Sequence, residues 1–108
     1  MSEYKNAVIE SAKIEIEDHG LLTVWLGLDY GDSCHQGFGG YCLFNPNFPG
    51  NDRAGLFIRR VMDVAGVKDW GHVPGRTVRV RASYSGVTAI GHILKDDWFT
   101  PSTDMVAS

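Results

Sequence analysis

Alternation of apolar and polar side chains predicts two strands near the start of the chain. Ala12, Ile14 and Ile16 alternate with charged residues, and this period of two is typical of a strand with one buried face. Leucine and valine resume the alternation over residues 22–28. Because the Asp-His-Gly sequence at 18–20 supplies turn-forming residues between them, the two segments predict a β-hairpin.

A helix is predicted over residues 53–65, where the apolar period changes from two to between three and four. Phe57, Val61 and Val64 form one apolar line along this segment, which is the spacing of a helix face that packs on a sheet. The Asn-Asp pair before it offers an N-terminal cap, and Gly66 is placed to end it.

The remaining strands complete an α+β fold. Residues 37–43 form a glycine-rich strand, and residues 77–83 and 87–94 form a second hairpin around a Ser-Gly turn. We therefore predict about five short antiparallel strands, with one helix between the third and the fourth. This order is that of an OB-like barrel, and other α+β sheets share it.

Composition and charge restrict the class of protein. The 108 residues predict one domain, with a flexible tail from about residue 101, and no apolar run reaches the roughly 18 residues of a membrane span. The net charge of −3 gives no general attraction to nucleic acid or membranes. With two cysteines and no signal-peptide pattern at the start, we expect reduced thiols and a cytoplasmic location.

The glycine-rich stretch at 37–40 has two interpretations. It lacks the spacing and the following helix of a phosphate-binding loop, so a bulged or coiled strand is favoured. Alternatively, the glycines allow a flat ligand or a partner chain to approach the backbone. The residues that would then contact the ligand are His35, Gln36, Gly39, Gly40 and Tyr41.

Neither a metal site nor a catalytic site is predicted. Cys34, His35 and Cys42 lack the paired spacing of zinc ligands. A nucleophile elbow is missing as well, and neighbouring side chains on a strand point to opposite faces. We expect a protein without a cofactor and without enzymatic activity.

Arginine is concentrated on one predicted strand. Arg79 and Arg81 share a sheet face, and Arg59 and Arg60 lie on the predicted helix. Arginine suits bidentate recognition of phosphate or carboxylate, so these four are candidate ligand-binding residues. The alternative is a solvated face in which the strand arginines pair with Glu15 or Glu17 on a neighbouring strand.

Trp25 is predicted on the outward side of its strand, opposite to the leucines. An outward indole can stack on a nucleobase or anchor a contact between subunits. It can also be covered by a loop or a helix on the second face of the sheet. We include Trp25 among the candidate ligand-binding residues.

Four segments together resemble a group of small proteins encoded by tailed phages and prophages. They are LDYG at 28–31, QGFGGY at 36–41, LFIRRV at 56–61 and AIGHILKDDWF at 89–99. The resemblance covers about residues 12–100 and carries no catalytic or ligand residues with it. It implies a viral protein in the host cytoplasm, of a size common among accessory factors.

Three functions from different classes follow. The first is a non-catalytic phage-type protein that counters a host defence function by binding a host protein or a phosphate-bearing signalling nucleotide, with a site between two copies of the chain as one arrangement. The second is a single-strand nucleic-acid binder with an OB-like fold, in which Trp25, Phe38 or Tyr41 stacks on bases and the arginine strand contacts the backbone. The third is a small virion or assembly component.

Overall fold

A computed structural model describes residues 3–44 and 53–105 of the chain. In this part the chain forms a six-stranded antiparallel sheet with strand order β3-β2-β1-β4-β5-β6. The helix α1 lies between β3 and β4, followed by a single 3₁₀ turn at Trp70–His72. The elements are β1 (Glu3–Ile16), β2 (Leu22–Gly31), β3 (Cys34–Gly39), α1 (Arg53–Ala65), β4 (Thr77–Ser83), β5 (Gly86–Gly91), β6 (Trp98–Phe99) and α2 (Pro101–Asp104).

The long strand β1 bends the sheet into a half-barrel. Its first half, residues 3–8, pairs with β4, and its second half pairs with β2. The pairing with β2 has an irregularity between Ile9 and Ser11, just after the last pair with β4 at Val8, and such a bulge bends a strand and increases its twist. The curl brings β3 against β5, where the Gln36 side-chain amide donates to the Ser83 carbonyl at 3.0 Å.

The core lies on the inner side of this curl. Three phenyl rings meet there: Phe57 of α1 stacks on Phe38 of β3, with centroids 5.8 Å apart, and meets Phe99 of β6 edge-on at 5.2 Å. Around them the sheet contributes alternate residues of its strands, which burial of apolar surface stabilises. The buried sheet residues of this core include Ala7, Ile9, Val24, Leu26, Leu28, Val78, Val80, Ala82 and Ile90.

The α+β class, both hairpins and the barrel-like curl are confirmed. The helix has the predicted range of residues 53–65, with Phe57, Val61 and Val64 buried, and it ends at Gly66, whose φ of +74° favours glycine. The predicted cap at residues 51–52 lies outside the described residues. No helix among the described residues is long and apolar enough to cross a bilayer.

Three details differ from the sequence-based expectations. A sixth strand, β6, is present, and the glycine-rich strand covers Cys34–Gly39 instead of residues 37–43. Ile14 and Ile16, predicted to face a core, are 45% and 73% exposed, because the end of the first hairpin extends beyond the part of the sheet that α1 covers.

Residues 101–105 also differ from the flexible tail that the sequence predicts from residue 101. Residues Pro101–Asp104 form the short helix α2, and Pro101 and Met105 are buried. The Thr100 backbone amide donates to the Asp104 carboxylate at 2.9 Å. This segment therefore contributes apolar side chains to the core, which composition alone does not reveal.

Candidate functional site

The outer side of β1, β4 and β6 carries a surface that we call the arginine face, formed by Tyr4, Arg79, Arg81 and Trp98. Strand alternation places these side chains outward, since Val78, Val80 and Ala82 of β4 point into the core. The register sets their order: Tyr4 is opposite Arg81, while Arg79 and Trp98 both flank Gly91 of β5.

Arg79 is fixed at the centre of this face. Its Nε and Nη2 donate to the carbonyls of His92 and Lys95 at 2.8 and 2.7 Å. Its guanidinium lies over the Trp98 ring, with Cζ 4.9 Å from the centroid, an attractive arrangement for a cation on an aromatic face. A Cβ at Gly91 would come within 2.6 Å of that indole, so glycine is what allows Trp98 to lie on β5.

Arg81 is the less constrained of the two strand arginines. Its Nε donates to the Thr88 hydroxyl at 3.1 Å, and the exposed Tyr4 ring is directly across the ladder. Beside them a shallow recess of about 140 Å³ is lined by Tyr4, Arg81, Ala89, Trp98 and Thr100. In the described ranges 3–44 and 53–105, Arg79 and Arg81 form no ion pair.

The alternative in which the strand arginines pair with Glu15 or Glu17 is wrong, although the two strands are neighbours. Strand β4 pairs with residues 3–8 of β1, so Asn6 and Tyr4 stand opposite Arg79 and Arg81. The two glutamates lie at the far end of β1, where it pairs with β2. The guanidinium groups on β4 are therefore not neutralised across the ladder.

The helix arginines are in a different electrostatic state. Arg59 donates to Asp63 at 3.0 Å, and Arg60 bridges Asp63 at 2.9 Å and Asp97 at 2.5 Å. The hydrogen bond to Asp97, and then that to Asp63, raises the pKa of Arg60. Burial would raise the pKa of Asp63, yet the hydrogen bonds from the two arginines lower it overall. The charges of Arg59 and Arg60 are thus already compensated.

Arg60 also helps to position the arginine face. Its Nη2 donates to the Trp98 carbonyl at 3.3 Å, while Arg79 binds the carbonyls of His92 and Lys95. Both side chains therefore hold the segment that connects β5 and β6. The structure brings Arg60 and Arg79 to one segment, but Arg60 is ion-paired, whereas Arg79 and Arg81 have no carboxylate partner among the described residues.

The glycine-rich strand is covered by a side chain of the same molecule. A Cβ at Gly37 would come within 3.2 Å of the Trp25 ring, and one at Gly40 would overlap that ring. A Cβ at Gly39 would collide with the Val24 carbonyl. Trp25, 42% exposed, thus occupies the place that the sequence interpretation gave to a flat ligand.

The aromatic residues predicted to stack on bases are not gathered beside the arginines. Phe38 is buried and Tyr41 packs against it in the core, with centroids 6.5 Å apart. Trp25 is opposite Lys13 of β1, whereas Arg79 is opposite Asn6. Seven residues of strand separate these points, which corresponds to roughly 20 Å. Trp25 and the arginine face are therefore separate surfaces.

A second cavity, which we call the barrel mouth, lies at the end of the curled sheet. Inward-facing side chains of β1, β2 and β4 extend there beyond the apolar core. The volume of the barrel mouth is about 480 Å³, and Lys5, Tyr30 and Gln36 line it. The Tyr30 hydroxyl donates to the Gln36 side-chain carbonyl at 2.6 Å, and the Lys5 ammonium lies 4.9 Å from the Tyr30 ring centroid. Burial raises the pKa of Tyr30.

His35, the remaining predicted residue, lies at the rim of the barrel mouth. Its Nδ1 is 3.1 Å from the Glu10 carboxylate and 3.9 Å from the Asp29 carboxylate. The structure therefore places His35 and Gln36 together at the barrel mouth and Arg79 and Arg81 on the arginine face. Gly39, Gly40 and Tyr41 belong to neither surface.

Sequence reasoning did not select Tyr4 and Trp98. The alternation of β1 and β4 places Tyr4 and Arg81 outward and could have indicated part of this surface. The pairing of the first strand with the fourth, however, is not encoded in any local pattern.

Comparisons of the chain with protein-family models, with curated proteins and with solved structures found no match. Function is therefore inferred from the geometry of these surfaces.

Proposed function

We propose that this chain is a non-catalytic binding protein that takes up single-stranded nucleic acid on its arginine face. The observation that carries the proposal is the surrounding of Arg81: an exposed tyrosine beside it, a tryptophan across the recess and no carboxylate partner among the described residues. Exposed rings interleaved with arginine are what single-strand binding surfaces use.

The chemistry of the face suits a base joined to a phosphate. Every nucleobase offers a flat face, and stacking on an aromatic ring contributes about 1–3 kcal/mol per base. The Tyr4 ring is 68% exposed, so it can stack without any rearrangement of the core. Within the described residues Arg81 donates through its Nε to Thr88 alone, which leaves its Nη atoms for phosphate oxygens. Arg79, held in place, adds positive charge beside them.

The shape of the face favours an extended chain over an enclosed small ligand. Pockets for small ligands have volumes of about 300–1,000 Å³, whereas the recess beside Arg81 measures about 140 Å³. A recess of that size accepts one planar group whose chain continues across the surface. An overall charge of −3 opposes non-specific binding, so affinity depends on this local group of charges.

OB folds commonly bind oligonucleotides on the face of their second and third strands, and here that face is acidic. Glu10 of β1 and Asp29 of β2 lie on it beside His35, and carboxylates repel phosphate. On β4, in contrast, Arg79 and Arg81 have no carboxylate partner among the described residues. The proposal therefore places the nucleic acid on the outer side of β1, β4 and β6.

Binding of labelled oligonucleotides, followed by fluorescence anisotropy at low salt, tests the proposal. The two informative variants are Tyr4→Ala, on the arginine face, and Tyr84→Ala, a fully exposed tyrosine at the barrel mouth. Tyr4→Ala is expected to weaken binding about tenfold, from the loss of one stacked base, and Tyr84→Ala to leave it unchanged. No binding by the wild-type protein, or equal losses in both variants, would refute it.

The barrel mouth supports a second candidate, a phosphate-bearing nucleotide. Its volume of about 480 Å³ lies within the range for small ligands, and Lys5 supplies a positive charge there, beside the carboxylate of Glu3. A thermal-shift screen with cyclic and linear nucleotides tests it, because a ligand at a hundredfold its dissociation constant stabilises by about 2.7 kcal/mol. A rise in melting temperature supports this candidate if Lys5→Gln abolishes it and Arg81→Gln preserves it. The absence of any rise in melting temperature excludes the candidate.

Both candidates fit a phage-type accessory protein that acts in a host cytoplasm. The support for that role is the resemblance of the four sequence segments to small phage proteins. Countering a host defence would follow in either form, by covering single strands or by sequestering a signalling nucleotide. A third way to counter a host defence is direct binding of a host protein. In that case the chain should associate with a host protein, and neither Tyr4→Ala nor Lys5→Gln should weaken that association.

A further inference from the structure

Three neighbouring strands bring an imidazole and two carboxylates together on the outer side of the sheet. Glu10 comes from the irregular segment of β1, Asp29 from β2 and His35 from β3, directly across the ladder from Asp29. One ligand atom from each lies within 4.8 Å of the other two. The His35 Nδ1 is 3.1 Å from Glu10 Oε2 and 3.9 Å from Asp29 Oδ1.

Local backbone features create this grouping. The shift in register between Ile9 and Ser11 interrupts the alternation of β1 at Glu10. Opposite the bulge is Gly27 of β2, where a Cβ would come within 2.6 Å of the Ser11 hydroxyl and 3.1 Å of Glu10 Cγ. Glycine at 27 therefore lets the Glu10 side chain extend over β2 toward Asp29 and His35.

The charge of the group is unbalanced. Two carboxylates carry two negative charges, and His35 supplies at most one positive charge, when protonated. No lysine or arginine of the described segments forms an ion pair with Glu10 or Asp29. Like charges this close repel one another, and a divalent cation between them would remove the repulsion.

We propose that Glu10, Asp29 and His35 bind a divalent transition-metal ion. One imidazole nitrogen with two carboxylate oxygens is a mixed N/O ligand set that suits Zn²⁺ and Mn²⁺. The Asp29 Oδ1 also accepts a hydrogen bond from the Gly31 amide at 2.8 Å, the kind of contact that orients a ligating carboxylate. Three protein ligands leave further coordination positions for water.

The proposed metal site adjoins the second cavity. His35 also lines the barrel mouth, so the metal would lie at the rim of that cavity. It would be on the β2–β3 side of the sheet, away from Tyr4 and Arg81. The metal site is therefore independent of nucleic-acid binding on the arginine face, and each proposal can fail without the other.

Isothermal titration of the metal-free protein with ZnCl₂ and MnCl₂ tests the site. The substitutions His35→Ala, Glu10→Gln and Asp29→Asn each remove one ligand from an exposed or half-buried position, and the latter two keep the side-chain shape. Each is expected to weaken binding by about tenfold or more, by analogy with the effect of removing an orienting partner. Circular dichroism at matched concentration confirms that each variant is folded.

His19 provides the matched control. Its Nδ1 is 3.2 Å from the Glu17 carboxylate, so this pair offers one imidazole and one carboxylate without the third ligand. His19→Ala is expected to leave the affinity unchanged. Mn²⁺ should also broaden the amide NMR signals of residues 10, 29 and 35 before those of residues 17 and 19. No binding of either ion, undiminished binding by His35→Ala, or equal weakening by His19→Ala would overturn the proposal.

Discussion

The guanidinium of Arg79 lies over the indole ring of Trp98, 4.9 Å from its centroid, and at the same time binds two backbone carbonyls of the connection between β5 and β6. This arrangement uses both properties of arginine, the planar stacking surface and the directed donors. It fixes Trp98 beside the recess next to Arg81, so the proposed binding face is formed before any ligand arrives.

Substitution Arg79→Lys should therefore destabilise the protein although it keeps the charge. A lysine cannot donate to the carbonyls of His92 and Lys95 together while stacking on Trp98. Each lost hydrogen bond from a charged donor costs about 1.5–3 kcal/mol. Urea unfolding followed by tryptophan fluorescence measures the loss. Arg81→Lys, on the same strand, should change stability by less than about 0.5 kcal/mol, and equal effects would contradict this role for Arg79.

Gly40 and Gly20 show two different reasons why a position requires glycine, namely backbone conformation and the space beside the Cα atom. Both have positive φ, +78° and +82°, but a Cβ at Gly40 overlaps the Trp25 ring and one at Gly20 meets nothing within 4 Å. Gly20→Ala should cost about 1 kcal/mol, from backbone strain alone. Gly40→Ala should cost about 1–3 kcal/mol more, from overpacking, and should shift the Trp25 emission. Thermal unfolding of both variants measures the difference, and equal melting temperatures would show that Trp25 does not need the glycine.

Asp63 makes stability depend on pH in the acid range. Its pKa in the folded protein lies below the ordinary 3.8, so the folded state favours the ionised form. The resulting stabilisation is complete well above pH 3.8 and is lost as the pH falls through the lower pKa of the folded state. Asp63→Asn should therefore be less stable than the wild type at neutral pH, and the difference should shrink as the solution is acidified.

Urea unfolding across this pH range measures the dependence. Asp96→Asn is the control, since Asp96 is an exposed residue of the segment between β5 and β6 and makes none of the contacts that hold Asp63. The control should follow the wild-type curve. A difference between Asp63→Asn and the wild type that is constant from neutral to acid pH would rule out this contribution of the carboxylate.

Local patterns predicted the elements well. The range of α1 and its buried line, Phe57, Val61 and Val64, follow from a period that one helix face imposes, and the turn residues at 18–20 and 85–86 mark the two hairpins. The burial of Ile14 and Ile16 could not be predicted in the same way. Alternation shows which face of the sheet a side chain lies on, but it does not show how far along the strand the covering layer extends.

The binding surfaces were less predictable, since they depend on pairings between distant strands. Arg79 and Arg81 could be selected from residue type alone. Their partners depend on β4 pairing with residues 3–8 of β1 and not with the end of that strand, which local alternation does not reveal. The bulge near Glu10 helps to create the Glu10, Asp29 and His35 group, whereas the sequence interpretation considered His35 as a metal ligand beside Cys34 and Cys42 and as a ligand contact of the glycine-rich strand.

The salt dependence of single-strand binding tests the central claim most directly. For single strands, each phosphate contact adds about 0.7 to the slope of log affinity against log salt. Arg81→Gln should bind more weakly than the wild type and lower that slope by about 0.7, while Arg59→Gln, which removes an arginine paired with Asp63, should leave the slope unchanged. An identical slope for the wild type and Arg81→Gln would contradict the assignment of nucleic-acid binding to the arginine face.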